Sequence, residues 1–337
     1  MMSHAPAAGG RARRILPRLT AHLTVPARIR ERRYSGAMRT PQSGRRLASA
    51  GLLVALLVAA CGSSAPTPSP SPTRIPVLID QQDAVGQTRF LFAMTDSGTS
   101  SIGSPALVVN VAFYDVAKSS TVPVSTSNAA FIWAIQDVKG VYVAPSTFTE
   151  AGDWIAEFTS TASGLTEKTR VPFPVEATST TPLVGAKAPD TVTPTLADVG
   201  GNIKAISTDT APNPGFYQVS AHDALAQHKP FVLVFATPAF CQTKQCGPTL
   251  DSIKTVAASE PDMTFINVEP YKMAFANNSL QPVLDTQGYL QATDVTNAWG
   301  LLTEPWIFVV DKTGVVRGSY SLIVSADELK AVIASVR

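Results

Sequence analysis

Cys241 and Cys246 are the residues of this chain whose types and spacing best suit covalent chemistry. They follow an apolar run, Phe231 to Ala236, and precede a segment typical of a helix, so they are predicted to lie between the end of a strand and the start of a helix. Backbone N–H groups at a helix N-terminus stabilise a thiolate, which is the form of cysteine that attacks disulfides and peroxides. This position favours redox chemistry, with Cys241 as the exposed nucleophile and Cys246 as the resolving thiol.

The four residues between these cysteines restrict the local backbone. On a continuous α-helix, residues five apart differ by about 140° in direction and about 7.5 Å in height. Side chains placed in that way cannot meet the geometry of a disulfide bond. If the pair oxidises, at least part of 242–245 must therefore be a loop.

The third cysteine, Cys61, stands at the end of an apolar run. Leu47 to Ala60 is too short to span a bilayer as a stable helix, but it has the length of a signal-peptide core and follows Arg45-Arg46. Because the run ends in Val58-Ala-Ala-Cys61, the segment 38–61 resembles a bacterial lipoprotein signal peptide. The resemblance implies that Cys61 is lipidated and becomes the first mature residue, which anchors an extracytoplasmic protein to the cell membrane.

The segments on either side of this signal lack the pattern of a folded domain. Residues 1–37 are rich in arginine and have no apolar periodicity, and we interpret them as an over-long N-terminal extension. Residues 62–76 are rich in proline and serine, which predicts an extended linker. Residues 1–46 hold 11 arginines and one acidic residue, so the formal net charge of +2 leaves the remainder of the chain acidic. An acidic remainder argues against nucleic acid as a partner.

Residues 77–177 show short alternating runs separated by turn residues, which predicts an all-β sandwich. The stretch Phe148 to Trp154 resembles the turn into a late strand of immunoglobulin-like extracellular modules. The region contains no cysteine, and we interpret it as a spacer or binding module. Residues 178–204 are predicted to be a linker. The predicted strands cover 89–94, 107–114, 130–134, 140–143, 154–159 and 169–175.

Residues 205–337 alternate between strand and helix patterns, in the order strand, helix, strand, helix, hairpin and final helix. This order, with a cysteine pair after an apolar strand, resembles the thioredoxin family. The run Gly300-Leu-Leu-Thr-Glu-Pro-Trp306 is similar to the cis-proline segment of that family and makes Pro305 the candidate cis-proline. The chain is therefore predicted to be multidomain, with an immunoglobulin-like β-sandwich followed by an α/β thioredoxin-like fold.

The resemblance also implies a function and a set of site residues. It predicts a thiol–disulfide oxidoreductase that acts on the thiols and disulfides of a client protein, without a cofactor and without a metal. Cys241 and Cys246 are then catalytic, and Phe240, Glu304 and Pro305 contact the substrate. Three features depart from the family. Four residues instead of two separate the cysteines, the strand 231–236 lacks the family's buried carboxylate for proton transfer, and Phe240 replaces the tryptophan commonly found before the first cysteine.

Three alternatives to this function share the fold. A peroxiredoxin-like thiol peroxidase also uses a cysteine pair, but Pro238 and Pro305 stand where that family places a threonine and an arginine. A Sco-like copper chaperone resembles the run Cys246-Gly-Pro-Thr-Leu250, but its histidine has no equivalent in 303–306. A redox-inactive binding or assembly module with a structural disulfide is also permitted, because an exported protein meets an oxidising compartment.

A zinc site formed by the cysteine pair with His222 and His228 is excluded by the predicted strand. His228 precedes this strand and Cys241 follows it. About seven residues of strand separate its ends by roughly 23 Å, so the four side chains cannot converge.

Overall fold

The computed structural model describes residues 72–79 and 83–337, which belong to one compact unit. The predicted N-terminal extension 1–37, the signal peptide with Cys61 and most of the linker 62–76 lie outside the described residues. Within the described part, no helix is both long and apolar enough to cross a bilayer. β-sheet is the main secondary structure there, and four α-helices accompany it.

The first part of the described chain consists of two antiparallel four-stranded sheets. Their strands are β1 (Ile75–Leu78), β2 (Gly86–Thr95), β3 (Val108–Asp115), β4 (Ser125–Asn128), β5 (Ala130–Ile135), β6 (Lys139–Phe148), β7 (Gly152–Ala162) and β8 (Leu165–Val175). The strand orders are β1-β2-β6-β5 and β4-β3-β7-β8. All six predicted strands of this part are present. β1 and β4 were not predicted, and β1 begins inside the predicted linker.

The two sheets share one aromatic core. Along β7 the side chains alternate, so that Trp154, Ala156 and Phe158 are buried while their neighbours are more exposed. They meet residues of β2 and β3, and the rings of Phe90 and Phe113 pack edge to face with centroids 5.1 Å apart. This alternation is the reason why the strands could be recognised in the sequence.

The second part of the described chain is built on a mixed four-stranded sheet. Its elements are α1 (Ala221–Ala226), β9 (Phe231–Phe235), α2 (Cys246–Ser259), β10 (Thr264–Val268), β11 (Met273–Ala276), β12 (Ser279–Pro282), α3 (Asp294–Ala298), β13 (Trp306–Val310), β14 (Val316–Ser321) and α4 (Ala326–Val336). The order in the sheet is β10-β9-β13-β14, with β10 parallel to β9 and β13 antiparallel to it. β11 and β12 form a separate hairpin.

The central strand β9 is fully buried because helices cover both faces of the sheet. On one face, Val232 and Val234 join apolar residues of α2 and α4. On the other face, Phe235 packs with residues of α1 and with Trp299, which directly follows α3. A continuous apolar strand sequence is the expected consequence of burial on both sides.

Three of the helix starts depend on hydroxyl side chains. The hydroxyls of Ser220, Thr293 and Ser325 each accept a hydrogen bond from the backbone of the first turn of their helix. At α4 the Glu328 side chain also bonds back to the Ser325 N–H, which completes the predicted capping box. The start of α2 differs, since no side-chain hydrogen bond from its N-cap residue is present.

The contacts between the two parts of the unit include a small apolar cluster and a charged pair. Leu91, Ile132 and Val143 on the first part pack with Ile323, which lies between β14 and α4. The Arg89 guanidinium donates to both carboxylate oxygens of Glu328, at 3.1 and 2.9 Å, and to the Ile323 carbonyl at 2.7 Å. These contacts connect the β-sheets of the first part to the last helix.

Candidate functional site

Cys241 and Cys246 form a disulfide bond, with their Cα atoms 5.9 Å apart. Residues 241–245 are not helical, and α2 begins at Cys246. This is the loop that the spacing of an oxidised pair requires. Cys241 consequently lies ahead of the helix, whereas Cys246 is its first residue.

The two sulfurs have different surroundings. Cys246, the first residue of α2, is fully buried in the core, while Cys241 is partly exposed. The backbone N–H of Cys246 donates to the Cys241 sulfur at 3.1 Å, and the Thr243 hydroxyl oxygen lies 3.3 Å from the same sulfur. Cys241 Sγ therefore accepts a backbone hydrogen bond at the start of α2. The side chain of Gln245, the N-cap residue, does not cap this helix. A thiolate at this sulfur would be stabilised by the same N–H and by the helix dipole.

Glu304 brings a buried carboxylate to this loop. Its Oε1 accepts from the Gln242 N–H at 2.6 Å, and its Oε2 accepts from the Tyr271 hydroxyl at 2.5 Å. A carboxylate oxygen of Glu304 and the sulfurs of Cys241 and Cys246 all lie within 4.8 Å of one another. Burial, followed by the hydrogen bond to Glu304, raises the pKa of Tyr271 far above its usual value, so this hydroxyl stays protonated and donates.

The register of the sheet explains why Glu304 reaches the cysteines. Trp306 pairs with Phe235 across β13 and β9, and these strands are antiparallel. The residues just before β13 must then lie beside the residues just after β9. The chain after β9 leads to Cys241, and the chain before β13 contains Glu304.

The predicted substrate-binding residues take part in this arrangement in different ways. The Glu304–Pro305 peptide bond is cis, as predicted. The Glu304 carbonyl accepts from the Thr243 hydroxyl at 2.9 Å, and the Pro305 carbonyl accepts from the Leu322 N–H at 2.8 Å, so both are engaged within the protein. Phe240 is partly buried in a turn ahead of Cys241. Their contact with substrate stays a prediction.

A second buried carboxyl group lies beneath the loop that leads to Cys241. The Glu269 Oε1 accepts from the Thr208 N–H at 2.6 Å, while its Oε2 is buried without a hydrogen-bond partner. Burial raises the pKa of Glu269 to about 7, although Thr237 and Thr208 donate to the carboxylate and oppose this effect. The sequence held a signal for this group, because Glu269 directly follows β10, at the end of parallel strands where functional side chains gather.

Metal binding is not assigned to the cysteine pair. Both sulfurs are consumed by the disulfide, and both carboxylate oxygens of Glu304 already accept hydrogen bonds. His222 is instead hydrogen-bonded to Asp190, with 2.7 Å between Nδ1 and Oδ1. In the described chain, no histidine joins the cysteines in a group that could hold a metal ion.

Comparison with known proteins adds no relative to this description. No family model, no curated protein and no solved structure matches the chain.

Proposed function

We propose that this protein is a membrane-anchored extracytoplasmic thiol–disulfide oxidoreductase that works through Cys241 and Cys246. The observation that carries the proposal is the asymmetry of the pair. The Cys241 sulfur is partly exposed and accepts the N–H at the start of α2, whereas Cys246 is buried behind it. An accessible, stabilised thiolate suits attack on a client disulfide, and a second thiol directly beside it suits resolution of the mixed disulfide.

The arrangement of the second part supports a thioredoxin-like domain over residues 205–337. Its order of β9, α2, β10, α3, the β13–β14 hairpin and α4 is the order of that family. The cysteine pair follows β9, and the segment with Pro305 precedes β13 and contacts the cysteine loop. We assign the two sheets of the first part to an immunoglobulin-like module that serves as a spacer or binding module.

The proposed reaction exchanges one disulfide for another. The Cys241 thiolate attacks one sulfur of a client-protein disulfide, and the other client sulfur leaves as a thiolate. The Cys246 thiolate then attacks Cys241 Sγ, which forms the Cys241–Cys246 disulfide and releases the first client sulfur. The client gains two electrons, and the cysteine pair loses them. The two protons released when Cys241 and Cys246 ionise are balanced by the two protons that the released client thiolates take up. The reverse sequence oxidises a client dithiol.

Limited alkylation of the reduced protein tests this assignment. With substoichiometric iodoacetamide near neutral pH, Cys241 should be labelled well before Cys246, because it is the more exposed thiol and the one stabilised as a thiolate. Peptide mass analysis measures the ratio. Cys246→Ser should accumulate mixed disulfides with client proteins, since attack survives and resolution is lost, while the matched Cys241→Ser variant should accumulate far fewer. Equal, slow labelling with no trapped species from either variant would contradict the proposal.

The membrane anchor is a separate part of the proposal and rests on Val58-Ala-Ala-Cys61. Cys61→Ala should release the protein from membranes without unfolding it. Intact-mass analysis of the membrane fraction should show a mature N-terminus at Cys61 that carries lipid. A soluble wild-type product cleaved at another position would show that this signal is not used.

A structural disulfide is the second candidate function, and the contacts of the cysteine loop favour it. The Gln242 N–H and the Thr243 hydroxyl are bonded to Glu304, and the Gln245 side chain donates to the Ala134 carbonyl at 3.0 Å. A loop held on two sides could serve as a fixed support for the start of α2. This candidate predicts that either cysteine-to-serine substitution lowers the free energy of unfolding and traps no client. Peroxide turnover that depends on Cys241 would instead favour the peroxidase alternative.

A further inference from the structure

We infer that the carboxyl group of Glu304 exchanges the proton of Cys246 during the resolving step. The inference deepens the proposed oxidoreductase function and rests on it. It gives Glu304 a role beyond contact with substrate, because its side chain is directed to the cysteine pair.

The burial of Cys246 creates the need for this group. The residue is fully buried, so water and buffer bases have no direct access to its thiol. Yet only the thiolate attacks a mixed disulfide, and burial in apolar surroundings disfavours that charged form. A base inside the protein that takes the proton at the moment of attack removes this obstacle.

Glu304 meets the geometric requirement for such a base. Its carboxylate oxygen and the Cys246 sulfur lie within 4.8 Å, a separation that one water molecule or a small side-chain movement can bridge. Glu304 is only 3% exposed. The Gln242 N–H and the Tyr271 hydroxyl each donate to one carboxylate oxygen and hold the side chain in place beside the cysteines.

The contacts of this carboxylate include several ionisable groups. Those near it are the two cysteine thiols of the reduced pair and the Tyr271 hydroxyl, which stays protonated because its pKa is raised. Lys244 belongs to the same loop, but its side chain is exposed, and no ion pair joins it to Glu304. Glu304 is the carboxyl group whose oxygen lies within 4.8 Å of both sulfurs, which makes it the candidate to exchange a proton with Cys246.

The proton balance follows the direction of the reaction. When a client disulfide is reduced, Glu304 takes the Cys246 proton as Cys246 Sγ bonds to Cys241 Sγ and the client sulfur leaves. The resulting carboxylic acid then passes its proton to the departing client thiolate or to water. When a client dithiol is oxidised, the same carboxylic acid protonates Cys246 as its sulfur leaves Cys241. The oxidant in the first direction is the client disulfide, and the reductant in the second is the client dithiol.

Stopped-flow reaction of the reduced Cys61→Ala protein with dithiodipyridine separates attack from resolution. The first thiopyridone is released when Cys241 attacks the reagent, and the second when Cys246 resolves the mixed disulfide. Glu304→Gln keeps the size of the side chain but cannot take up a proton. We expect it to slow the second phase about tenfold or more near neutral pH and to leave the first phase within about twofold. The slowed phase should also rise more steeply with pH than in the wild type.

Tyr271→Phe and Glu260→Gln complete the test. Tyr271→Phe keeps the carboxyl group but removes one of the two donors that hold it in place, so the second phase should slow while the first phase stays within about twofold. Glu260→Gln is a control at the opposite end of α2, where Glu260 pairs with Arg337, and should change neither phase. A second phase with wild-type rate and pH profile in both Glu304→Gln and Tyr271→Phe would overturn the inference and leave the proposed function intact. If the Cys61→Ala protein without any further substitution shows no first phase that depends on Cys241, the proposed function itself would be overturned.

Discussion

At the scale of single residues, two buried glutamates differ in the hydrogen-bond donors that their carboxyl oxygens meet. Both oxygens of Glu304 accept short hydrogen bonds. Glu269 has a backbone donor on one oxygen and none on the other. Burial therefore dominates at Glu269 and raises its pKa to about 7. When the pH is high enough to ionise Glu269, the burial of its charge lowers the free energy of unfolding.

Glu269 predicts a stability that falls as the pH rises. Its pKa is about 7 in the folded protein against an ordinary 4.5, so the folded state binds this proton more tightly than the unfolded state. The contribution is fully present below pH 4.5 and is lost as the pH rises to about 7. The loss is on the order of 3 kcal/mol at most. Glu269→Gln should remove this slope and raise the free energy of unfolding at pH 8 by roughly 1–3 kcal/mol.

Urea unfolding of Glu269→Gln and the wild type at pH 5 and pH 8 measures this effect. Glu150→Gln provides a control, because the Glu150 side chain is exposed. A decline between the two pH values that is as large in Glu269→Gln as in the wild type would show that another group causes it.

At the scale of elements, Gly300 controls the path of the chain from α3 to the segment with Glu304. Its φ is +64°, a conformation that favours glycine. A Cβ added there would lie 1.8 Å from the carbonyl oxygen of Thr180. The segment before β13 is thus packed directly against the backbone of the predicted linker 178–204.

Gly300→Ala should be severely destabilising. The added methyl group meets backbone atoms that cannot move aside, so we expect a loss of about 3 kcal/mol or more in the free energy of unfolding. Gly288→Ala is the matched control, since Gly288 has φ +88° but open space around it, and should cost only about 1 kcal/mol. Urea unfolding compares the two variants. Equal losses would mean that the close approach to Thr180 is readily relieved.

The sequence predicted those elements whose pattern is local. The apolar run of β9 and the capping residues of α4 are visible in the sequence, and both elements formed as predicted. The hairpin of β11 and β12 was not predicted. Its two-residue turn, Asn277-Asn278, has positive φ at both positions, a conformation that hairpin turns require and that asparagine favours. β4 was missed because its four residues are polar and at most half-buried.

The candidate site could be predicted only in part for a related reason. The cysteine pair and Pro305 could be found because their residue types and spacing carry information by themselves. The approach of the Glu304 carboxylate to the sulfurs depends on the pairing of Trp306 with Phe235, which brings together segments far apart in the chain. No local pattern encodes that register.

At the scale of the whole unit, the Arg89–Glu328 pair connects the first part to the last helix. Burial of the Glu328 carboxyl group by itself raises its pKa, but the hydrogen bonds and charge of Arg89 outweigh this and hold the pKa below its usual value. The pair lies beside the apolar cluster that contains Ile323. The boundaries 77–177 and 205–337 stay a prediction. The Arg89–Glu328 pair and the apolar cluster are among the contacts through which the two regions would influence each other's stability.

Arg89→Ala should lower the stability of the unit by about 1 kcal/mol at neutral pH, a modest figure because solvent reaches part of the pair. The lowered pKa of Glu328 makes this contribution present above its ordinary value of 4.5, and it is lost as the pH falls further. The difference between variant and wild type should therefore shrink in acid. Lys168→Ala, which removes an exposed ion pair, is the control. Thermal unfolding at several pH values measures both, and a difference that grows in acid would contradict this assignment.

The reduction potential of the Cys241–Cys246 disulfide distinguishes a working redox couple from a structural disulfide. Equilibration of the Cys61→Ala protein with thiol–disulfide buffers of graded potential, followed by mass analysis of alkylated thiols, measures this value. We expect a potential above about −300 mV, in the range where exchange with client thiols is reversible. A potential below about −300 mV would identify a structural disulfide and contradict the proposed function.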